Sequence, residues 1–445
     1  MITHLVTWLL IQVLKIMLMK NIIFFLFIFL LGLTCFSDYF FQKNKSETSK
    51  NNIDQNYNNE LAWLKKQIHP LNGFDPNALD NSDLDVLEKI IGDEKVIALG
   101  EVTHGSSEIF QMKHRIIKYL NEHKEFDILS MEASMPEAYE VNEYTMEGKG
   151  NALELIRGMH FWIWRTQEVL EMVEWMKQQN IKGKPIKFTG FDMQFYTGAI
   201  KNLKIGFTGE KYGKTLTQEL DSSLVKLDNQ NPKTIVLKLT NNEQEEIDNL
   251  LLKIRKEIIS SSFDASKREW LLQNVRIIEQ CLDNGFRTRD KYMAENVEWI
   301  KKQNPNSKIV LWGHNYHIKE TSVSMGKYLS DKLKDDYLSI GFAFHTGTYS
   351  AKGEKGLSVY QAKKSFPGTY EYFFQAIDTP FFLLDLREIE KDTSKYGDWL
   401  KSEKGLKFRK TGAVKPRLEF SWANLKKDFD ILIFINESSN SEILE

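Results

Sequence analysis

The sequence predicts an α/β domain with a mostly parallel sheet flanked by helices and a helical insertion that forms a lid. Three observations carry this expectation. Short apolar, β-rich runs alternate with longer amphipathic stretches, the pattern of strands joined by crossover helices. Residues 215–304 interrupt the alternation: Leu and Ile recur there at helical spacing among Glu and Lys, with no strand beyond a weak "KTIVLKL". Four of the strand-like runs finish in acids or imidazoles, and a parallel sheet collects such ends on one edge.

From the N-terminus, residues 1–37 carry only two formal charges, Lys15 and Lys20, and "NIIFFLFIFLLGLTCF" carries none. This reads as a signal peptide, the fit being best if translation begins at Met17 or Met19, or as an uncleaved membrane anchor. "LLGLTC" resembles a loose lipoprotein cleavage box with Cys35 as the lipidated residue. The expectation is an exported or membrane-anchored protein that meets the membrane through this segment. Residues 38–60 are polar and Asn-rich and read as a disordered tether, because they hold too little apolar surface to offset the cost of ordering. The folded domain is expected over 61–445.

The strand-like runs are "KVIALGE" (95–101), "FDILSMEA" (126–133), "PIKFTGFDMQ" (185–194), "SKIVLWGHN" (307–315), "DYLSIGFAFHTG" (336–347), "TPFFLLDLRE" (379–388) and "FDILIFINES" (429–438). Helical stretches follow the first run, from Glu108 to about His123, and the second, through "FWIWRTQEVLEMVEWMKQQN" (161–180). The aromatic residues at this spacing read as core, while Arg165 opens the helix where a guanidinium can face the sheet edge or pair at the surface.

Several function classes drop out. With 59 basic and 61 acidic side chains well mixed, nothing draws a polyanion, so no nucleic acid partner is expected. Cys35 and Cys281 form no CxxC and no disulfide framework. There is no G-x-S-x-G elbow; "GEKYGKT" (209–215) is one residue short of a phosphate loop; "HNYH" lacks the glutamate of a zincin helix. What remains at the strand ends is Glu101, His104, Glu132, Asp192, His314 and His317. A neutral histidine beside a carboxylate takes a proton from water, the equipment for hydrolysis. His104, Glu132, His314 and His317 also make a plausible metal set, and spacing does not separate a bare base from a metal-bound water.

These residues resemble the erythromycin esterase family. The matching pieces are "VIALGEVTHGSSEIF", "DILSMEASMPEAYEVNEY", "FWIWRTQEVLEMVEWM", "IKFTGFDMQ", "IVLWGHNYHI" with "SMGKYL", "YLSIGFAFHTGTY" and "FDILIFINES", in family order across Leu61 to Ser438. The resemblance implies hydrolysis of a small-molecule ester, the lactone of macrolide antibiotics, with no metal or cofactor. It implies His104 as general base, Glu101 and Glu132 orienting the imidazole and the water, and His314 and His317 binding or polarising substrate. Glu108, four residues past His104, matches the pattern as support for the same wall. One position departs: where the family places an arginine nine residues after the histidine, this chain has Lys113, with Arg115 two residues on. Lysine lacks the planar fork of arginine, which puts substrate positioning there in question. Two rivals stay open, a metal-dependent envelope peptidase or hydrolase and a non-catalytic binding lipoprotein of the same fold.

Overall fold

A computed structural model describes residues 57–230, 239–283 and 288–444. The chain divides into two compact units, Met1–Ala62 and Trp63–Glu445. In the first, the described residues 57–62 begin the helix Asn58–Gln67. The expected signal or anchor, Cys35 and most of the tether lie outside the described residues, as does all but the last residue of "KTIVLKL".

The second unit is built on β1 (Ile68–Pro70), β2 (Val96–Leu99), β3 (Phe126–Ser134), β4 (Lys187–Asp192), β5 (Lys308–Trp312), β6 (Tyr337–Gly353), β7 (Gly356–Gln361), β8 (Phe381–Asp385), β9 (Leu406–Arg409), β10 (Phe420–Ala423) and β11 (Ile431–Ser438). The main sheet runs β1-β8-β11-β6-β2-β5-β3-β4, with β7 hairpinned onto β6, and β9 and β10 pair separately. The six strands from β11 to β4 are mutually parallel, while β8 and β1 add an antiparallel edge. Every residue of β2 is buried, because helices cover both faces; this explains why the run reads as continuously apolar.

Two differences from the sequence expectation have local causes. The helical region between β4 and β5 already begins at Thr197: helices Thr197–Gly206, Lys211–Gln230, Asn241–Ser260, Ala265–Leu282 and Arg289–Gln303 are described there. β6 does not stop at Gly347 but continues to Gly353 and turns into β7. Gly347 breaks the apolar run without breaking the strand: its φ is +111° and a Cβ there would meet Ser438 O at 1.9 Å. No helix among the described residues is long and apolar enough to cross a membrane.

The strand order places the functional edge. The chain leaves β2 toward β3 on one side and leaves β5 toward β6 on the other, so a crevice opens at the carboxyl ends of these neighbours. The loop after β5 lies directly over the loop after β2. A Cβ on Gly100 would sit 2.1 Å from Asn315 Oδ1, and that amide is engaged by Phe342 N and O.

Gly347→Ala should destabilise the fold by about 2 kcal/mol or more, since both the left-handed backbone and the contact with β11 oppose a side chain. Chemical denaturation checks this; an unchanged midpoint would show that the strand pair accommodates a methyl group.

Candidate active site

The residues after β2 build the first half of the site. The carboxylate of Glu101 is fully buried and accepts from three elements. Oε1 is 2.6 Å from His104 Nδ1; Oε2 accepts from Lys113 Nζ at 2.7 Å and from Trp312 Nε1 at 2.7 Å. Lys113 comes from the helix Ser107–Lys124, started by Ser106, whose Oγ caps Ile109 N. Its ammonium also donates to Gly313 O at 3.4 Å and sits 4.2 Å from the Trp312 ring centroid. Burial works against the Glu101 charge, but Lys113 and His104 outweigh it and hold the carboxyl below its usual range. Burial likewise pulls Lys113 down to about 8 against the attraction of Glu101.

Because the Glu101 carboxylate only accepts, the proton of neutral His104 lies on Nδ1 and the lone pair on Nε2. That nitrogen has no hydrogen-bond partner among the described residues, and the ring lines a cavity of about 560 Å³. His314 stands beside it, ring centroids 5.0 Å apart. Its tautomer is set by partners of fixed polarity: Nε2 donates to Thr411 O at 2.6 Å, and Nδ1 accepts from Tyr316 N at 3.1 Å. Burial, with His104 nearby, pushes its pKa down to about 4, so it stays neutral.

The second half of the site centres on Arg289, the first residue of its helix. Its guanidinium donates to Asp192 Oδ1 and Oδ2 at 3.2 and 2.7 Å and to Glu132 Oε1 at 2.8 Å, and it lies 3.1 Å from His317 Nε2. His317 Nδ1 is held by Asp290 Oδ1 at 2.8 Å. Glu132 Oε2 accepts from His314 N. Burial raises the Glu132 carboxyl, but His317 and Arg289 overcome it and keep the group ionised far below the usual range. His317 shows the converse: burial disfavours its charge, while Glu132 and Asp290 raise its pKa.

As metal ligands the four sequence candidates fit poorly. Both nitrogens of His314 are occupied by backbone groups, and Glu132 already serves Arg289. No group of three or more metal-binding side chains is assembled among the described residues.

The sequence profile described as Erythromycin esterase matches residues 121–438, well over half of the chain. The chain belongs to the erythromycin esterase family. Bacillus subtilis YbfO, whose name marks it as an inferred hydrolase, is 25% identical over 433 residues, covering 86% of this chain and 92% of its own length. Erythromycin esterase type II of Escherichia coli is 26% identical over 331 residues, 65% of this chain and 78% of its own. A crystal structure titled as a succinoglycan biosynthesis protein superposes with a TM-score of 0.74 at 24% identity, over 87% of this chain and 99% of that one. That likeness speaks to the fold.

Within this family member, the strand-end residues Glu101, His104, Glu132, Asp192, His314 and His317 come together. Four further sequence candidates do not line the cavity. Lys113 is 0% exposed and acts behind Glu101. Arg115 turns away to Asp83, 2.5 Å from Oδ1, and to Asn81. Lys113 and Arg115 are two residues apart, which puts them on opposite sides of one helix. Glu108 accepts from the Ser439 backbone N–H and hydroxyl, pinning the C-terminal segment. Arg165 donates to His160 O. His314 lines the cavity, with both ring nitrogens engaged by backbone groups. Sequence reasoning missed Arg289, Asp290 and Trp312. "TRD" (288–290) ends no strand, and Trp312 reads as core within an apolar run.

Arg289→Met leaves Glu132 and Asp192 buried with their shared cation gone. A loss of about 3 kcal/mol or more in unfolding free energy is expected. A variant as stable as the native protein would mean that the two acids take up protons or water without cost.

Proposed function

We propose that this protein hydrolyses a carboxylic ester or lactone by direct attack of water, with His104 as general base. Family membership supports a hydrolase. The observation that carries the mechanism is a cavity-lining ring whose Nδ1 is held 2.6 Å from a buried carboxylate while its Nε2 has no hydrogen-bond partner among the described residues. In this scheme Nε2 takes a proton from water as the oxygen bonds to the ester carbonyl carbon. Glu101 stabilises the imidazolium that forms. The tetrahedral intermediate then expels the alcohol oxygen, which recovers the proton from His104, leaving a carboxylic acid and an alcohol. Neutral His314 suits the neighbouring place, because a second cation there would oppose the imidazolium. A macrolide lactone is the first substrate candidate, since relatives at 25–26% identity are named erythromycin esterases.

His104→Ala should lower kcat on any accepted ester at least about a hundredfold with the fold intact, the low end for a general base. Near-native turnover would remove His104 from this role. Glu101→Gln keeps an acceptor for Nδ1 but removes the charge, and should cost about tenfold or more in kcat while leaving KM within a few fold. Incubation of the protein with a panel of macrolides, read by mass spectrometry, should show addition of one water to at least one ring. No such addition would exclude macrolides while leaving ester hydrolysis open.

A further inference from the structure

The whole-chain balance of 59 basic and 61 acidic side chains conceals a local excess. Residues 346–368 and 402–423 hold ten lysines and arginines against three acids, Glu354, Glu403 and Glu419. Glu419 is buried against Arg409, its Oε2 2.6 Å from Nη1, and Glu403 is taken up by Lys426, 3.2 Å away, and by Lys427. Lys352, Lys404, Lys407, Lys410, Lys415 and Arg417 have no carboxylate within ion-pair distance among the described residues. The two segments are tied to each other. Lys352 of β6 donates its backbone N–H to Ala413 O at 2.9 Å and accepts that of Lys415 at 2.8 Å, while Arg409 Nη2 donates to Lys363 O at 2.6 Å. The cations therefore share one region of the surface.

Apolar side chains stand among them. Leu418 is 72% exposed, Val414 65% and Trp422 54%. Trp422 is the partner of Lys407 across the β9–β10 pair, so the two share a face, and Phe420 shares it two residues earlier. Lys404 Nζ lies 5.1 Å from the Trp422 ring centroid and Lys407 Nζ 5.6 Å from that of Phe366, which meets Phe420 edge-on at 5.2 Å. The same mixture recurs on the β6–β7 hairpin. Leu357 is the partner of Lys352, and Lys352 bridges to Val414, so an apolar, a cationic and an apolar side chain stand in a row. The strap that joins the two groups, Phe408 to Ala413, lines the same cavity as His104.

Exposed rings interleaved with lysines distinguish one kind of partner from another. The core of a protein interface is depleted in lysine, because burial strips the ammonium of water. At a lipid surface the rings settle at headgroup depth while the ammonium groups stay wet and meet phosphate, and each such cation adds to the attraction of an anionic leaflet.

We infer that this surface docks the folded domain on a membrane that carries anionic lipids, with Lys352, Lys404, Lys407 and Lys415 holding headgroup phosphates and the rings of Trp422 and Phe366 seated at headgroup depth. The inference does not depend on the hydrolase reading. It is also separate from the membrane contact expected of residues 1–37, which is apolar and carries little charge. Docking on this surface sets one wall of the cavity beside the lipid.

The test mixes the full chain with vesicles of phosphatidylcholine alone or with about one third phosphatidylglycerol, and follows lysine acetylation by mass spectrometry. Lys404, Lys407 and Lys415 should react at least about fivefold more slowly on the anionic vesicles than on the neutral ones, with Lys253 and Lys256 of the helix Asn241–Ser260 as the internal reference. The protection should fade as salt is added. Residues 1–37 are present throughout, so their own insertion is common to both vesicles. Two pairs of substitutions, Lys404→Glu with Lys407→Glu and Phe366→Ser with Trp422→Ser, should each remove most of the protection at Lys415 while leaving the thermal midpoint near that of the native protein. Equal acetylation on the two vesicles overturns the inference, as does protection that survives either pair of substitutions. Stronger protection by heparin than by the anionic vesicles overturns it too and assigns the surface to a soluble polyanion.

Discussion

The site depends on one buried carboxylate. Glu101 is ionised in the interior, and three donors from three elements make that tolerable: the loop after β2 supplies His104, the following helix supplies Lys113, and β5 supplies Trp312. Removing one partner from such a group leaves its desolvation uncompensated, a cost of about 3–5 kcal/mol for a buried pair. The carboxylate therefore acts as a register mark. β2, β5 and the helix must meet at one separation for its lone pairs to be used, and the same separation sets the His104 ring against the cavity. Stability and the orientation of the base come from one arrangement.

The two halves of the site use similar residue types for different ends. Around Arg289 the acids and His317 neutralise one another and build a wall. Around Glu101 the donors leave one ring nitrogen without a partner among the described residues. His314 sits between them, kept neutral by burial and by His104 nearby, with a carbonyl on one nitrogen and a backbone N–H on the other. A histidine in this place that titrated near neutrality would compete with His104 for the proton. Its burial removes that competition.

The legible part of the site was the part written at strand ends. Glu101, Glu132, Asp192 and His314 follow β-rich runs, and a parallel sheet delivers all such ends to one edge, so their convergence follows from strand direction alone. Helical contributions were harder to place. A helix shows a residue to the site only over a third of its circumference, and the sequence pattern does not say which third faces the sheet edge when the whole helix is flanked by structure. Arg115 and Glu108 are near His104 in sequence yet serve the N-terminal loop and the C-terminal segment, whereas Arg289, 185 residues away, reaches the centre. For the fold, the parallel core was readable from its apolar runs. The extension of β6 past Gly347 was not, because a glycine that ends a hydrophobic run looks the same whether the strand stops or only passes close to another backbone.

The departure at position 113 takes on a different meaning from its position in space. An arginine is valued where its planar fork reaches two acceptors at once. Here the cation lies in a sealed slot over the face of Trp312, with Glu101 Oε2 at 2.7 Å and Gly313 O beyond. A compact ammonium with rotatable donors reaches both acceptors without the coplanarity that a guanidinium demands. The site therefore asks this residue for a positive charge beside Glu101 rather than for a fork presented to substrate. Lysine meets that demand.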